Sequence, residues 1–136
     1  MFSKANLVST LVTAIWGMGG GFLLWGIIAD PMMADNIMSG LLRTEPDMFH
    51  LALGCLIQAF GFSAIYGKYG ASNYGAKSGL SMGIMVGIMI GAGEKLIDFA
   101  TSNMIDFEGT LMNFVIYLVF FAITGILAGL IYKKLA

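Results

Sequence analysis

The stretch that decides the fold is Ser78-Gly79-Leu80-Ser81-Met82-Gly83-Ile84-Met85-Val86-Gly87-Ile88-Met89-Ile90-Gly91-Ala92-Gly93-Glu94-Lys95-Leu96-Ile97-Asp98-Phe99-Ala100. It carries no charge before Glu94. As a helix rising 1.5 Å per residue it spans roughly 34 Å, enough for about 30 Å of hydrocarbon. Glycine recurs every fourth residue, at Gly79, Gly83, Gly87 and Gly91. In lipid no hydrophobic force drives helices together, so such a face predicts close backbone packing through dispersion contacts. Gly17 and Gly21, and Gly125 and Gly129, extend the pattern to two other stretches. The partner is another helix of the chain or a second copy, and a glycine-lined pore wall is the alternative reading.

Working outward, three more apolar runs of similar length appear, giving spans at about 6–29, 48–66, 78–100 and 110–132. Asp30-Pro31 is expected to stop the first, because proline cannot continue a helix. The first run is too long for a signal peptide's apolar region and reads as a retained span. Thr44 is the expected N-cap of the second, with Pro46 in its first turn. Short connections predict antiparallel neighbours, so the fold class is all-α: a single four-transmembrane-helix bundle over residues 1–136.

Charge supports the same layout. The chain is 58% hydrophobic and only 11% charged, with net charge −1; soluble domains carry about 25% charged residues. Asp30, Asp35, Glu45, Asp47, Glu94, Asp98, Asp106 and Glu108 all fall in or beside the first and third connections. Lys4, Lys68, Lys77, Lys133 and Lys134 fall at the termini and in the second connection. The positive-inside rule then places both ends in the cytoplasm. Arg43 and Lys95 are the exceptions. The near-neutral balance suggests no nucleic acid, and the lone Cys55 reads as a small buried hydrophobe.

Ionisable groups within spans are functional candidates. Glu94, Lys95 and Asp98 form one cluster: a carboxylate pair at an outer vestibule for protons or cations, or an interfacial helix end, which their shallow depth favours. His50, near Asp47, is a candidate pH sensor or a ligand beside Glu94 or Asp98, weighed against an ordinary interfacial residue. Gln58, Asn113 and Thr124 are intramembrane polar groups expected to hydrogen-bond across helices. Trp16, in mid-span, suggests packing inside the bundle or against a lipid or ligand. Met82, Met85 and Met89 read as apolar packing, and no metal or cofactor is implied. No nucleophile–base pair, zinc spacing or nucleotide fingerprint is present.

Four short stretches carry a family resemblance: Leu24-Trp25-Gly26-Ile27-Ile28, Pro46-Asp47-Met48, Gly75-Ala76-Lys77-Ser78-Gly79 and Thr101-Ser102-Asn103-Met104. Together the chain resembles small four-span bacterial membrane proteins of the DUF1761 type and related Bacteroidetes membrane proteins, from which Glu94-Lys95 departs. The resemblance implies fold and membrane location and supplies no mechanism. The expected role is a non-enzymatic, oligomeric or accessory subunit of a membrane complex, its partners being membrane lipids, its own copies or other membrane subunits. A small proton or cation channel or transporter is the alternative.

Overall fold

A computed structural model describes residues 2–37, 45–71 and 73–136. Four helices in it are long and apolar enough to cross a membrane: α1 Lys4–Met33, α2 Met48–Tyr69, α3 Ala76–Thr101 and α4 Phe107–Leu135. The described residues contain no strand, only an isolated bridge between Ile37 and Ile105. The expected N-cap Thr44 and the exceptional Arg43 lie outside the described residues.

Three of the four helices start where a short polar side chain satisfies an orphan backbone amide, and α3 starts after Gly75 without one. Ser3 accepts from the Asn6 amide at 3.1 Å, Asp47 from His50 at 3.2 Å and Asp106 from Gly109 at 2.8 Å. Asp47 therefore caps α2, and Pro46 lies before the helix instead of in its first turn. Nor does Asp30-Pro31 end α1. Phe22–Ala29 is π-helical, the Asp30 amide bonding back to the Trp25 carbonyl, and a new α-helical turn opens at Asp30. Pro31 thus occupies a first-turn position, where its missing N–H costs little.

The packing runs opposite to a soluble protein's. The buried face of α1 is small and polar: Asn6, Ser9, Thr10 and Thr13 are all hidden. Leu7, Leu11 and Ile15 point outward, more than half exposed. Inside, Thr10 donates to the Asn6 side-chain oxygen at 3.1 Å, and Ser63 of α2 donates to the Asn6 carbonyl at 3.3 Å. An apolar exterior around an interior of small and hydrogen-bonded residues suits a lipid solvent.

Helix α4 is central. α3 lies along it, α1 touches both α2 and α4, and α2 leans on α1 with slight contact to α4. The four glycines of α3 meet α4 directly. A methyl added at Gly79 would fall on the Gly125 carbonyl, and one at Gly83 on the Phe121 carbonyl. At Gly87 it would come within 3.1 Å of Leu118 Cα, and at Gly91 within 2.7 Å of Tyr117 Cβ. Gly129 abuts Gly75. The α3 stripe is therefore a helix-packing surface within one chain, and no pore wall. Gly17 packs on Cys55, whose β-carbon lies 3.3 Å from an added methyl; Gly21, in contrast, faces open space.

The core is aromatic, with Phe62, Tyr66, Phe120, Phe121 and Tyr132 buried together. At the end where the termini meet, Ser3, Asn6, Lys68, Tyr74, Tyr132 and Ala136 line one depression. Tyr132 donates to the Ser63 carbonyl at 2.8 Å, Tyr74 to the Gly67 carbonyl at 2.6 Å, and the Gly75 amide to the Tyr66 hydroxyl at 3.1 Å. Burial pushes the Tyr74 hydroxyl above its ordinary value, helped by Tyr132 and Tyr66.

Candidate functional site

The opposite end carries most of the described carboxylates and holds a cavity of about 340 Å³. Three helices build it. α1 supplies Trp25, Ala29, Asp30 and Met33; α3 supplies Lys95 and Asp98; α4 supplies Thr110, Asn113 and Tyr117. The connections close it. The Asp106 amide donates to the Asn36 carbonyl at 2.9 Å, and the Asn36 side-chain amide donates to both Asp106 oxygens at 3.0 Å.

Lys95 is the hub. Its ammonium lies 2.8 Å from Asp98 and 3.7 Å from Glu94, and 5.8 Å from the centre of the Tyr117 ring, a cation–π distance. Only 23% of its side chain is exposed, against 58% for Glu94. The cluster expected at the vestibule therefore divides. Lys95 and Asp98 line the cavity; Glu94 borders Lys95 from outside, and Asp30 of α1 joins the lining. Among the described residues Asp30 pairs with no cation.

The floor is set by α4. Asn113 accepts from the Trp25 indole N–H at 2.7 Å, a bond across two helices as the polar residues of the spans predicted. Its amide N–H groups remain unpaired among the described residues, as does the Tyr117 hydroxyl. Trp25 stands edge-on to Tyr117 and Phe120 at 4.8 and 5.3 Å between ring centres. Below them Trp16 stacks on Phe120 and donates to its carbonyl at 3.1 Å. Aromatic rings therefore close the cavity towards the bundle's middle.

The chain matches no known family model, no curated protein and no solved structure. Its site is accordingly described by its own residues.

Other candidates fall elsewhere. Thr124 is buried but donates to Phe120 of its own helix at 2.9 Å, not across helices, because a short hydroxyl reaches the carbonyl one turn back. Gln58 is exposed near the middle of α2 and makes no hydrogen bond among the described residues. His50 is bound to Asp47 at 2.6 Å beside Pro46 and Leu51, apart from the Lys95 cavity. That bond holds the Asp47 carboxyl below its ordinary value of 3.8. Among the described residues no three His, Cys, Asp or Glu side chains converge as a metal-binding group.

Sequence reasoning missed Asp30, Trp25 and Tyr117 as cavity residues. For Lys95 the signal was present: it is the next position of the repeat 79, 83, 87, 91. A lysine there is carried onto α4 by the same face as the glycines.

Proposed function

We propose that the chain is an antiparallel four-span bundle of the bacterial cytoplasmic membrane, both termini cytoplasmic, working as an oligomeric or accessory subunit of a membrane complex and not as an enzyme. Contacts that pair Gly79 with Gly125, Gly83 with Phe121 and Gly91 with Tyr117 descend α4 as they ascend α3, which supports the antiparallel arrangement. The sorting of lysines from carboxylates supports the orientation. The resemblance to four-span proteins of the DUF1761 type bears on fold and location alone.

One observation carries the subunit reading: Gln58 faces outward from mid-span. A primary amide offers two donors and an acceptor, and facing hydrocarbon all would go unpaired at a cost of several kcal/mol in order of magnitude. A neighbouring helix relieves that cost. The face around Gln58 suits one, since Leu51, Gly54, Gln58, Gly61 and Ile65 recur at alternating three- and four-residue steps. Methyls added at Gly54 and Gly61 would meet nothing within 4 Å, so a partner backbone has room to approach.

Mass measurement of the detergent-solubilised protein tests this. More than one protomer, or a co-purifying membrane subunit, is expected, and Gln58→Leu should lower the associated fraction. A strict monomer without partner for the wild type overturns the reading. The cation-path alternative has the acidic mouth in its favour, with Lys95 and the aromatic floor against it. Cation flux into liposomes that is lost in Asp98→Asn would favour it.

A further inference from the structure

We infer that the cavity at the carboxylate-rich end holds the headgroup of a zwitterionic phospholipid bearing a primary ammonium, its phosphate on the Lys95–Asn113–Tyr117 side and its ammonium between Asp98 and Asp30. This goes beyond the subunit reading and does not depend on whether α2 is covered.

The argument rests on what the lining lacks as much as on what it offers. The lining offers donors with capacity to spare: among the described residues the Asn113 amide N–H groups and the Tyr117 hydroxyl meet no acceptor, and the Lys95 ammonium, bound to Asp98, has further N–H bonds to give. Asp98 engages Lys95 through one oxygen at 2.8 Å, and an ammonium has three N–H bonds to give. Among the described residues Asp30 pairs with no cation, and Asp98 engages Lys95 through one oxygen only. A purely anionic ligand would meet Asp30 and Asp98 against Lys95 in the described lining, with Glu94 close outside it. A simple cation would leave the donors facing nothing. A phosphate linked by two carbons to an ammonium satisfies both sides at once, and each contact is a charge-assisted hydrogen bond, stronger than a neutral one.

Size and placement agree. About 340 Å³ falls at the lower end of small-ligand cavities, which run from about 300 Å³ upward. Met33, Ile37, Met104 and Ile105 add apolar wall, beside the hydroxyl residues Ser102 and Thr110. These flank the polar groups at the helix ends, where glycerol and the first acyl carbons of an interfacial lipid would lie. Two π-helical segments, Phe22–Ala29 and Ile88–Glu94, lead directly into the lining residues of α1 and α3. Such widened turns occur mostly where a helix serves a site.

The test is lipid retention by the full-length protein in native mass spectrometry. Phosphatidylethanolamine, phosphatidylcholine and phosphatidylglycerol with identical acyl chains are offered separately, with soluble glycerophosphoethanolamine as a competitor. Phosphatidylethanolamine should be retained about tenfold better than the other two, because choline has no N–H and glycerol no cation. Asp98→Asn and Asp30→Asn should each erase most of that preference, Lys95→Met should lower retention of all three lipids, and Lys133→Met, at the other end, should do neither. Asp30→Asn alters an exposed side chain and keeps the test decisive should Lys95→Met fail to fold. Equal retention of the three lipids, or preference for phosphatidylglycerol, overturns the inference. Competition by glycerophosphoethanolamine as strong as by the lipid overturns the assignment to a membrane lipid.

Discussion

Replacing Gly79 by alanine sets two effects of opposite sign against each other. In an ordinary helix interior the change stabilises by about 0.5–1 kcal/mol, because glycine loses more backbone freedom on folding. Here the new methyl would fall on the Gly125 carbonyl oxygen and 3.1 Å from Gly129 Cα. Both are backbone atoms that no rotamer change can move, so α3 and α4 must separate. Overpacking of this kind costs about 1–3 kcal/mol. Separation also weakens the contacts between glycine Cα–H groups and facing carbonyls that such proximity permits. The net expectation is a loss of about 1–2 kcal/mol, and the same for Gly83→Ala, which strikes the Phe121 carbonyl. Gly21→Ala is the control: a methyl there meets nothing within 4 Å and should stabilise by up to about 1 kcal/mol. Reversible unfolding in mixed micelles, followed by tryptophan emission, reads the difference, since Trp16 and Trp25 both pack on α4. Gly79→Ala with Gly125→Ala should cost less than the sum, because both methyls occupy one gap. If Gly79→Ala and Gly83→Ala match Gly21→Ala, backbone proximity is not what holds α3 to α4.

Tyr132→Phe removes the hydroxyl that donates to the Ser63 carbonyl at 2.8 Å and should lower stability by about 1 kcal/mol in the same assay. Asp106→Ala removes both the α4 cap and the acceptor of the Asn36 amide; a loss of about 1–3 kcal/mol is expected, mostly restored in Asp106→Asn. Asp47 gives a pH dependence of known sign. Its carboxyl lies below its ordinary value of 3.8 in the folded chain, so its contribution is complete above that value and is lost as pH falls through the lower folded one. Amide exchange at His50, whose N–H it accepts, should accelerate only at acid pH, and Asp47→Ala should abolish that dependence.

The four spans were legible because each is long, apolar and bounded by charge, and bilayer thickness leaves few other readings. The glycine face of α3 was legible as a packing surface, but its partner was not. Spacing within one helix says nothing of which neighbour the topology brings to it, and opposite the stripe α4 supplies glycine at only Gly125 and Gly129. Gln58 and Asn113 read alike as mid-span amides. They part because α4 lies at the centre of the bundle and α2 at its edge, a difference made by packing order. Asp30-Pro31 misled for a local reason: a proline ends an α-helix only when the hydrogen-bond register ahead of it is unbroken, and the π-helical turn resets that register.

That resetting also explains why the cavity was only half legible. A residue recurring every four positions drifts by about 40° per step around an α-helix of 3.6 residues per turn. From Gly79 to Lys95 the drift would total roughly 160°, turning Lys95 away from the helix that Gly79 touches. Gly91 nevertheless abuts Tyr117, and Lys95 stands over the same ring. The π-helical run Ile88–Glu94 takes up the drift, since bonding five residues back widens the turn beyond the α-helical count. The repeat is therefore continuous in space because the helix changes type beneath it. An isolated α-helical wheel would place Lys95 on the lipid side, where an ammonium at that depth is costly. The π-helical segment brings it to Asp98, Tyr117 and the cavity instead.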